Sequence, residues 1–270
     1  MPLIELHGVQ QGYRGKSVIR GIDLALDVGA FGLLGPNGAG KSTLLRTLAT
    51  AVRPAGGTLE IFGSAVRGPK DLRAVRRRIG FLPQSFGYPP EFTVLDFVSY
   101  CAWLREIPRR DIRTAARAAL ERVGLGDRSG TAMGKLSGGM LRRAGIAQAV
   151  VGGPELIVLD EPTTGLDPRQ RTDFRDLVRE LSASACVLLS THLVEDVAHT
   201  CSRIGVLAEG RLCFDGTPEE LTGRARADSP GDTPLERGYA EVLAGRDEEA
   251  SGTAVSPKAV SQKRAPEGLA

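Results

Sequence analysis

The clearest chemistry in the sequence lies in Gly35-Pro36-Asn37-Gly38-Ala39-Gly40-Lys41-Ser42-Thr43. The segment fits G-x-x-x-x-G-K-[ST], a phosphate-binding loop. Glycines let backbone N–H groups converge on phosphate oxygens without side-chain obstruction. A helix starting at the lysine presents its N-terminal dipole to the same anion. Lys41 supplies a mobile point charge for β- and γ-phosphates, and Ser42 offers a hydroxyl to Mg2+. A second segment, Leu156-Ile157-Val158-Leu159-Asp160-Glu161-Pro162, is an apolar run that ends in two acids. Beside a P-loop it reads as a Walker B strand. Asp160 would hold Mg2+ through water, and Glu161 would polarise the water attacking phosphorus.

A third segment, Leu136-Ser137-Gly138-Gly139-Met140, would by itself be a helix start capped by Ser137. In order and spacing with the first two, it resembles the signature sequence of ATP-binding-cassette (ABC) ATPases. The resemblance covers about residues 3 to 222. Position by position it implies further roles. Gln84, in Phe81-Leu82-Pro83-Gln84, resembles the Q-loop glutamine, which senses Mg2+ and the attacking water. Thr164-Gly165-Leu166-Asp167 resembles the D-loop, which communicates across a dimer. His192, in Leu189-Ser190-Thr191-His192, resembles the switch histidine that contacts the γ-phosphate. Tyr13 resembles the aromatic that stacks on adenine, with Val18 extending the platform. The catalytic set so implied is Glu161, His192 and Gln84, and the Mg2+ set is Ser42, Gln84 and Asp160. ATP would lie between the P-loop of one chain and Ser137, Gly138, Gly139 and Met140 of another. The fifth signature residue is Met140, where the family more often has Gln; the departure touches only that residue's polar contact.

These groups need a scaffold. Leu3 to Leu6 and Ile22 to Leu26 alternate apolar and polar residues, as half-buried strands do. Ala30 to Leu34 is a short apolar run that stops at Gly35. Lys41 to Thr50 has helical spacing, with Leu44, Leu45 and Leu48 on one face. Residues 57 to 84 read as strands, at Thr58 to Phe62 and Ile79 to Leu82. Residues 94 to 125 read as helical, as does Leu136 to Val151. Leu156 to Leu159 and Ala185 to Leu189 read as strand cores separated by a helix around Thr172 to Leu181. Strands alternating with helices predict an α/β domain with a largely parallel sheet. The family resemblance sharpens this to a P-loop NTPase core, an N-terminal antiparallel β subdomain and a helical subdomain inserted at about 86–134.

The chain of 270 residues carries 35 Lys and Arg against 32 Asp and Glu, a net charge of +3. That balance does not by itself indicate nucleic-acid binding. Lysine is rare here, and one of the few stands at position 41. Four cysteines show no C-x-x-C pair and read as reduced thiols. No run approaches the ~20 apolar residues of a membrane helix. The start, Met1-Pro2-Leu3-Ile4-Glu5, lacks a signal-peptide pattern and points away from secretion. One ABC ATPase domain is expected over 1–222. A polar extension is expected over 223–270, with a short helix at Leu235 to Leu243 and disorder from about 245.

One cassette holds two half-sites, so the resemblance implies a dimer with a second copy or a related subunit. It also implies separate transmembrane permease subunits as partners, no nucleic acid, and a peripheral position on the cytoplasmic face of the cell membrane. Gly80 to Gln84, Phe92-Thr93-Val94, Arg203 to Leu207, Gly210-Arg211 and Gly216-Thr217-Pro218 resemble stand-alone subunits of drug and antibiotic exporters. The expected function is ATP hydrolysis driving export of a small molecule. An importer subunit is the alternative. A soluble, non-transport ABC ATPase fits less well: there is one cassette, and no long coiled coil separates Lys41 from Ser137.

Overall fold

The computed structural model describes residues 2–13, 15–66 and 69–251. The chain opens with β1 (Ile4–Tyr13), β2 (Lys16–Leu26) and β3 (Gly29–Leu34), then enters α1 (Lys41–Leu48). β4 (Gly56–Ile61), the two-residue β5 (Ser64–Ala65), α2 (Pro69–Arg76) and β6 (Ile79–Leu82) follow. Three helices come next: α3 (Val94–Leu104), α4 (Ile112–Arg122) and α5 (Gly138–Val150). β7 (Leu156–Asp160), α6 (Pro168–Ser182), β8 (Cys186–Ser190) and α7 (Val194–Ala198) then alternate. β9 (Arg203–Ala208), β10 (Arg211–Gly216), α8 (Pro218–Thr222) and α9 (Pro234–Ser251) complete the described chain.

Two sheets result. The smaller is antiparallel, in the order β2-β1-β4-β5. The larger has the order β10-β9-β3-β8-β7-β6 and is parallel except for the β9–β10 hairpin. Its central strands are buried on both faces, which is why they read as unbroken apolar runs. Leu156 and Val158 of β7 face a core shared with Leu44, Leu45 and Leu48 of α1 and with the small sheet. Ile157 and Leu159 face the opposite core, with Ala147 of α5 and Phe174 and Val178 of α6. Each such fully buried aliphatic side chain contributes about 1.5–3 kcal/mol.

Parallel pairing decides where the chemistry goes. Leu82 pairs with Leu159, Asp160 with Ser190, and Ser190 with Leu33. The carboxyl ends of β6, β7, β8 and β3 therefore lie along one edge, where ligands sit in open α/β sheets.

The helical insertion contains α3, α4 and two 3-10 turns, and a bridge between Thr93 and Ala132 closes it. Val98 and Ala102 of α3 share a core with Ala116 and Leu120 of α4 and Ala144 of α5.

One sequence expectation is corrected. The stretch 57–84, read as strands, contains the helix α2. Among residues 70–76 only Val75 is buried, so no apolar period marked it. Its ends suit the helix dipole instead, with Asp71 in the first turn and Arg73 and Arg76 in the last. In the extension, α9 runs from Pro234 to Ser251, past the point where disorder was expected to begin. The helix is anchored by buried Leu235 and by Tyr239, Val242 and Leu243 against the main core. Once nucleated there, good helix formers carry it on. Gly238 lets α9 approach α8; a Cβ there would strike the Leu221 carbonyl oxygen. The rest of the extension, 252–270, lies outside the described residues. No helix among the described residues is long and apolar enough to cross a membrane.

Candidate functional site

The P-loop joins the end of β3 to the start of α1. Gly40, at φ 109°, is the N-cap of α1 and adopts a left-handed conformation that favours glycine. No side chain caps this helix, and its first turn holds no acid. Its N-terminal N–H groups are thus left to an anion. A Cβ on Gly35 would collide with the Leu207 carbonyl oxygen. The loop walls a cleft of about 270 Å³, lined by Pro36, Asn37, Gly38 and Gly40 through Thr43. Val18, Gln84 and Glu161 complete the lining.

Lys41 is buried and donates from Nζ to the carbonyl oxygens of Gly35 (2.5 Å) and Pro36 (3.2 Å). Burial pushes its pKa below the ordinary lysine value, while Glu161 and then Asp160 pull it back up. The ammonium is parked on its own loop, beside two carboxylates.

Asp160 is fully buried at the end of β7. Its Oδ1 accepts from Ser190 Oγ at 2.7 Å. Its Oδ2 is buried with no hydrogen-bond partner among the described residues. Leaving a buried carboxylate oxygen unpaired is costly. Ser42 and Gln84 on the cleft wall offer oxygen donors of the kind Mg2+ takes, while Asp160 itself does not line the cleft.

Glu161 has a left-handed backbone, φ 53°. Such strain in a non-glycine residue persists only where the surroundings over-determine it. Here they do: its N–H donates to both the carbonyl and the hydroxyl of Ser190, and its carbonyl accepts from Arg142. Its side chain meets His192 Nδ1 through Oε2 at 2.9 Å. The parallel neighbours β7 and β8 bring these two residues together from distant points in the chain.

Arg142 escaped the sequence reading. It lies one turn into α5 and is buried. Its guanidinium donates to the carbonyls of Pro83 and Gln84 at 3.1 Å each and of Pro162 at 3.3 Å. It also donates to the carbonyls of Asp160 and of Glu161, the latter at 2.7 Å. Burial lowers its pKa, opposed by Asp160 and Glu161. The only sequence signal was an arginine on the inward face of an otherwise small-residue helix. Asp196 was also missed. Buried on α7, it accepts from Thr163 Oγ1 at 2.8 Å and from Arg175 at 3.3 Å.

The remaining expected site residues lie elsewhere. Ser137 caps α5 by accepting from the Met140 N–H at 3.3 Å, while Met140 packs on the core. Gly138 is exposed. A Cβ on Gly139 would stand 3.1 Å from the Gly165 carbonyl oxygen and 2.9 Å from Gln170 Oε1. Asp167 caps α6 in a capping box with Gln170. None of Ser137 to Met140, nor Asp167, lines the cleft. Tyr13 is 42% exposed at the β1–β2 hairpin and does not line it either. Ala39 is buried against the core beneath the loop. All four cysteines are free.

Known proteins were compared with this chain. The family profile for ABC transporters matches residues 19–164. The chain is 37% identical over 220 residues to the Nod factor export ATP-binding protein I of Burkholderia orbicola (strain AU 1054), covering 81% of this chain and 72% of that protein. It is 40% identical over 220 residues to the daunorubicin/doxorubicin resistance ATP-binding protein of Streptomyces peucetius, covering 81% and 66%. A solved ATP-binding subunit of an ABC transporter superposes with TM-score 0.78 at 25% identity, covering 89% of this chain and 99% of that one. A dimeric bacterial ABC transporter cassette superposes with TM-score 0.73 at 25% identity, covering 79% and 98%. With a phosphate-binding loop, paired acids and an α/β core in one frame, this chain belongs to the ABC transporter family and is one of its ATPases.

Proposed function

We propose that this chain is the ATP-hydrolysing subunit of an exporter whose membrane-spanning part is a separate protein. The observation that carries the catalytic part is one cleft lined by Lys41, Ser42, Gln84 and Glu161, with His192 on the Glu161 carboxylate. Phosphate entering the cleft would take the Lys41 ammonium from the Gly35 and Pro36 carbonyls and accept from the open N-terminus of α1. Glu161 holds the attacking water and takes its proton. His192 keeps that carboxylate aimed and reaches the γ-phosphate. Ser42, Asp160 and Gln84 would hold Mg2+, which neutralises phosphate charge when bound. Val18 lines the cleft and would pack on the base. Tyr13, exposed at the β1–β2 hairpin, would offer its ring face to adenine.

Ser137, Gly138, Gly139 and Met140 stand away from their own chain's cleft, which supports a role in trans against ATP held by a second copy or a related subunit. Asp167 beside them would carry the D-loop role. Export rests on the relatives, one named for Nod factor export and one for daunorubicin/doxorubicin resistance. The contact with the membrane subunits falls on α3. There Tyr100 and Trp103 stack at 5.9 Å, and both are about half exposed, as is Leu104. Such a contact would set the subunit at the cytoplasmic face of the membrane.

Glu161→Gln tests the reading. It should keep ATP affinity, accumulate an ATP-bound dimer, and lose about 10²–10⁴-fold in turnover. Turnover at the parental rate would refute Glu161 as the base. Export is tested by co-purification with a membrane protein and by ATP hydrolysis stimulated by its substrate.

A further inference from the structure

We infer that Arg142 is the positioning residue that holds Glu161 and Gln84 in one geometry and fixes both to the signature helix. The inference rests on the proposed roles of Glu161 and Gln84. Five backbone carbonyls converge on this one guanidinium. Two belong to the segment after β6, at Pro83 and Gln84. Three belong to the end of β7 and the turn beyond it, at Asp160, Glu161 and Pro162. These segments carry the two side chains that face the phosphate loop across the cleft.

Among the described residues no carboxylate neutralises Arg142 through a direct hydrogen bond; its five acceptors are all carbonyl oxygens. A cation buried this way is expensive unless the dipoles around it are well arranged. The planar fork suits the task because its five N–H donors point in fixed directions. The strained turn at Glu161 needs such support. Ser190 fixes its N–H side, and Arg142 fixes its carbonyl side.

Arg142 also sits on α5, the helix that Ser137 caps. A displacement of α5 is therefore delivered through one side chain to Gln84 and Glu161 together. The start of α5 rests in addition on the segment before α6, where Gly139 leaves room only for backbone beside Gly165. The signature segment and the hydrolytic carboxylate thus move as one unit.

Arg142 does not itself line the cleft and meets the lining residues Gln84 and Glu161 only through their backbone carbonyls, so the prediction separates binding from turnover. ATP affinity and steady-state hydrolysis are measured on the purified full chain for Arg142→Ala, Arg142→Lys and Glu161→Gln. Arg142→Ala should leave the ATP dissociation constant within about threefold and lower kcat about 100-fold, the cost of displacing a catalytic group by roughly 1 Å. Arg142→Lys keeps the charge and three donors but not the fork, and should lose about tenfold. Millimolar guanidinium chloride should restore part of the activity of Arg142→Ala and none of that of Glu161→Gln. If Arg142→Ala does not fold, Arg142→Lys decides the matter by the same comparison. Parental kcat in a folded Arg142 variant overturns the inference. So does a loss of ATP affinity that matches the loss of kcat, which would make Arg142 a general structural prop. Parental hydrolysis by Glu161→Gln would instead overturn the reading of Glu161 on which the inference stands.

Discussion

Asp196→Ala offers a quantitative test of how α7 is held against the segment after β7. Asp196 is only 5% exposed, and each carboxylate oxygen has one partner. Oδ2 accepts from Thr163 Oγ1 at 2.8 Å, and Oδ1 from Arg175 at 3.3 Å. Thr163 is itself buried, so the variant leaves its hydroxyl without water to replace the lost acceptor. A hydrogen bond to a charged group is worth about 1.5–3 kcal/mol. The Arg175 side chain is 27% exposed, and its ion pair adds about 0.5–1 kcal/mol after screening. The total is about 3 kcal/mol. At roughly 2–4 °C per kcal/mol for a domain of this size, the melting temperature should fall by about 6–12 °C. Asp196→Asn keeps an acceptor for Thr163 and loses mainly the ion pair, so it should fall by about 1–4 °C. Circular dichroism melts without nucleotide, with urea titrations alongside, read both. Adding Thr163→Val to Asp196→Ala should cost less than the two single changes summed, because they remove the same bond. Equal melting temperatures for the Ala and Asn variants would refute the reasoning. So would strict additivity with Thr163→Val.

Lys41→Ala should weaken ATP binding, because the phosphates lose their point charge; unchanged affinity by fluorescent-nucleotide titration would count against the P-loop reading. The lowered pKa of Lys41 gives a signed pH effect. The free chain loses that proton at lower pH than an ordinary lysine, while bound phosphate favours the ammonium. Binding should therefore take up a proton in the alkaline range below the ordinary lysine pKa, and affinity should fall as pH rises there. Calorimetry in buffers of different ionisation enthalpy reads the uptake, and buffer-independent heats would refute it. In the same window the unfolded chain binds more protons, so Lys41 makes the unbound fold gain stability as pH rises. If Ser137 acts in trans, an equal mixture of Ser137→Arg and Lys41→Ala chains should regain activity through one intact composite site. Complete inactivity in verified mixed dimers would argue against that arrangement.

The segments legible in the sequence are those whose chemistry is local. A phosphate loop needs glycines, a lysine and a helix start within a few residues, and Gly35 to Thr43 supply them. β7 and β8 were legible because strands buried on both faces must be apolar throughout. α2 was not, since a mostly exposed helix with one buried anchor carries no period to read. α9 was only half legible. Its docked face at Leu235, Tyr239 and Val242 was visible, but the helix propagates beyond the residues that anchor it.

The sequence by itself determined the order of the motifs, the α/β class and the identity of the acids and lysine, because each is written in contiguous residues. The tertiary structure decided which of them meet. Strand order sets β8 between β3 and β7, so Ser190 reaches Asp160 and His192 reaches Glu161. The partners of Arg142 and Asp196 follow the same logic. A buried polar group must find a hydrogen-bond partner, and only the packing of segments far apart in the chain says which groups are within reach.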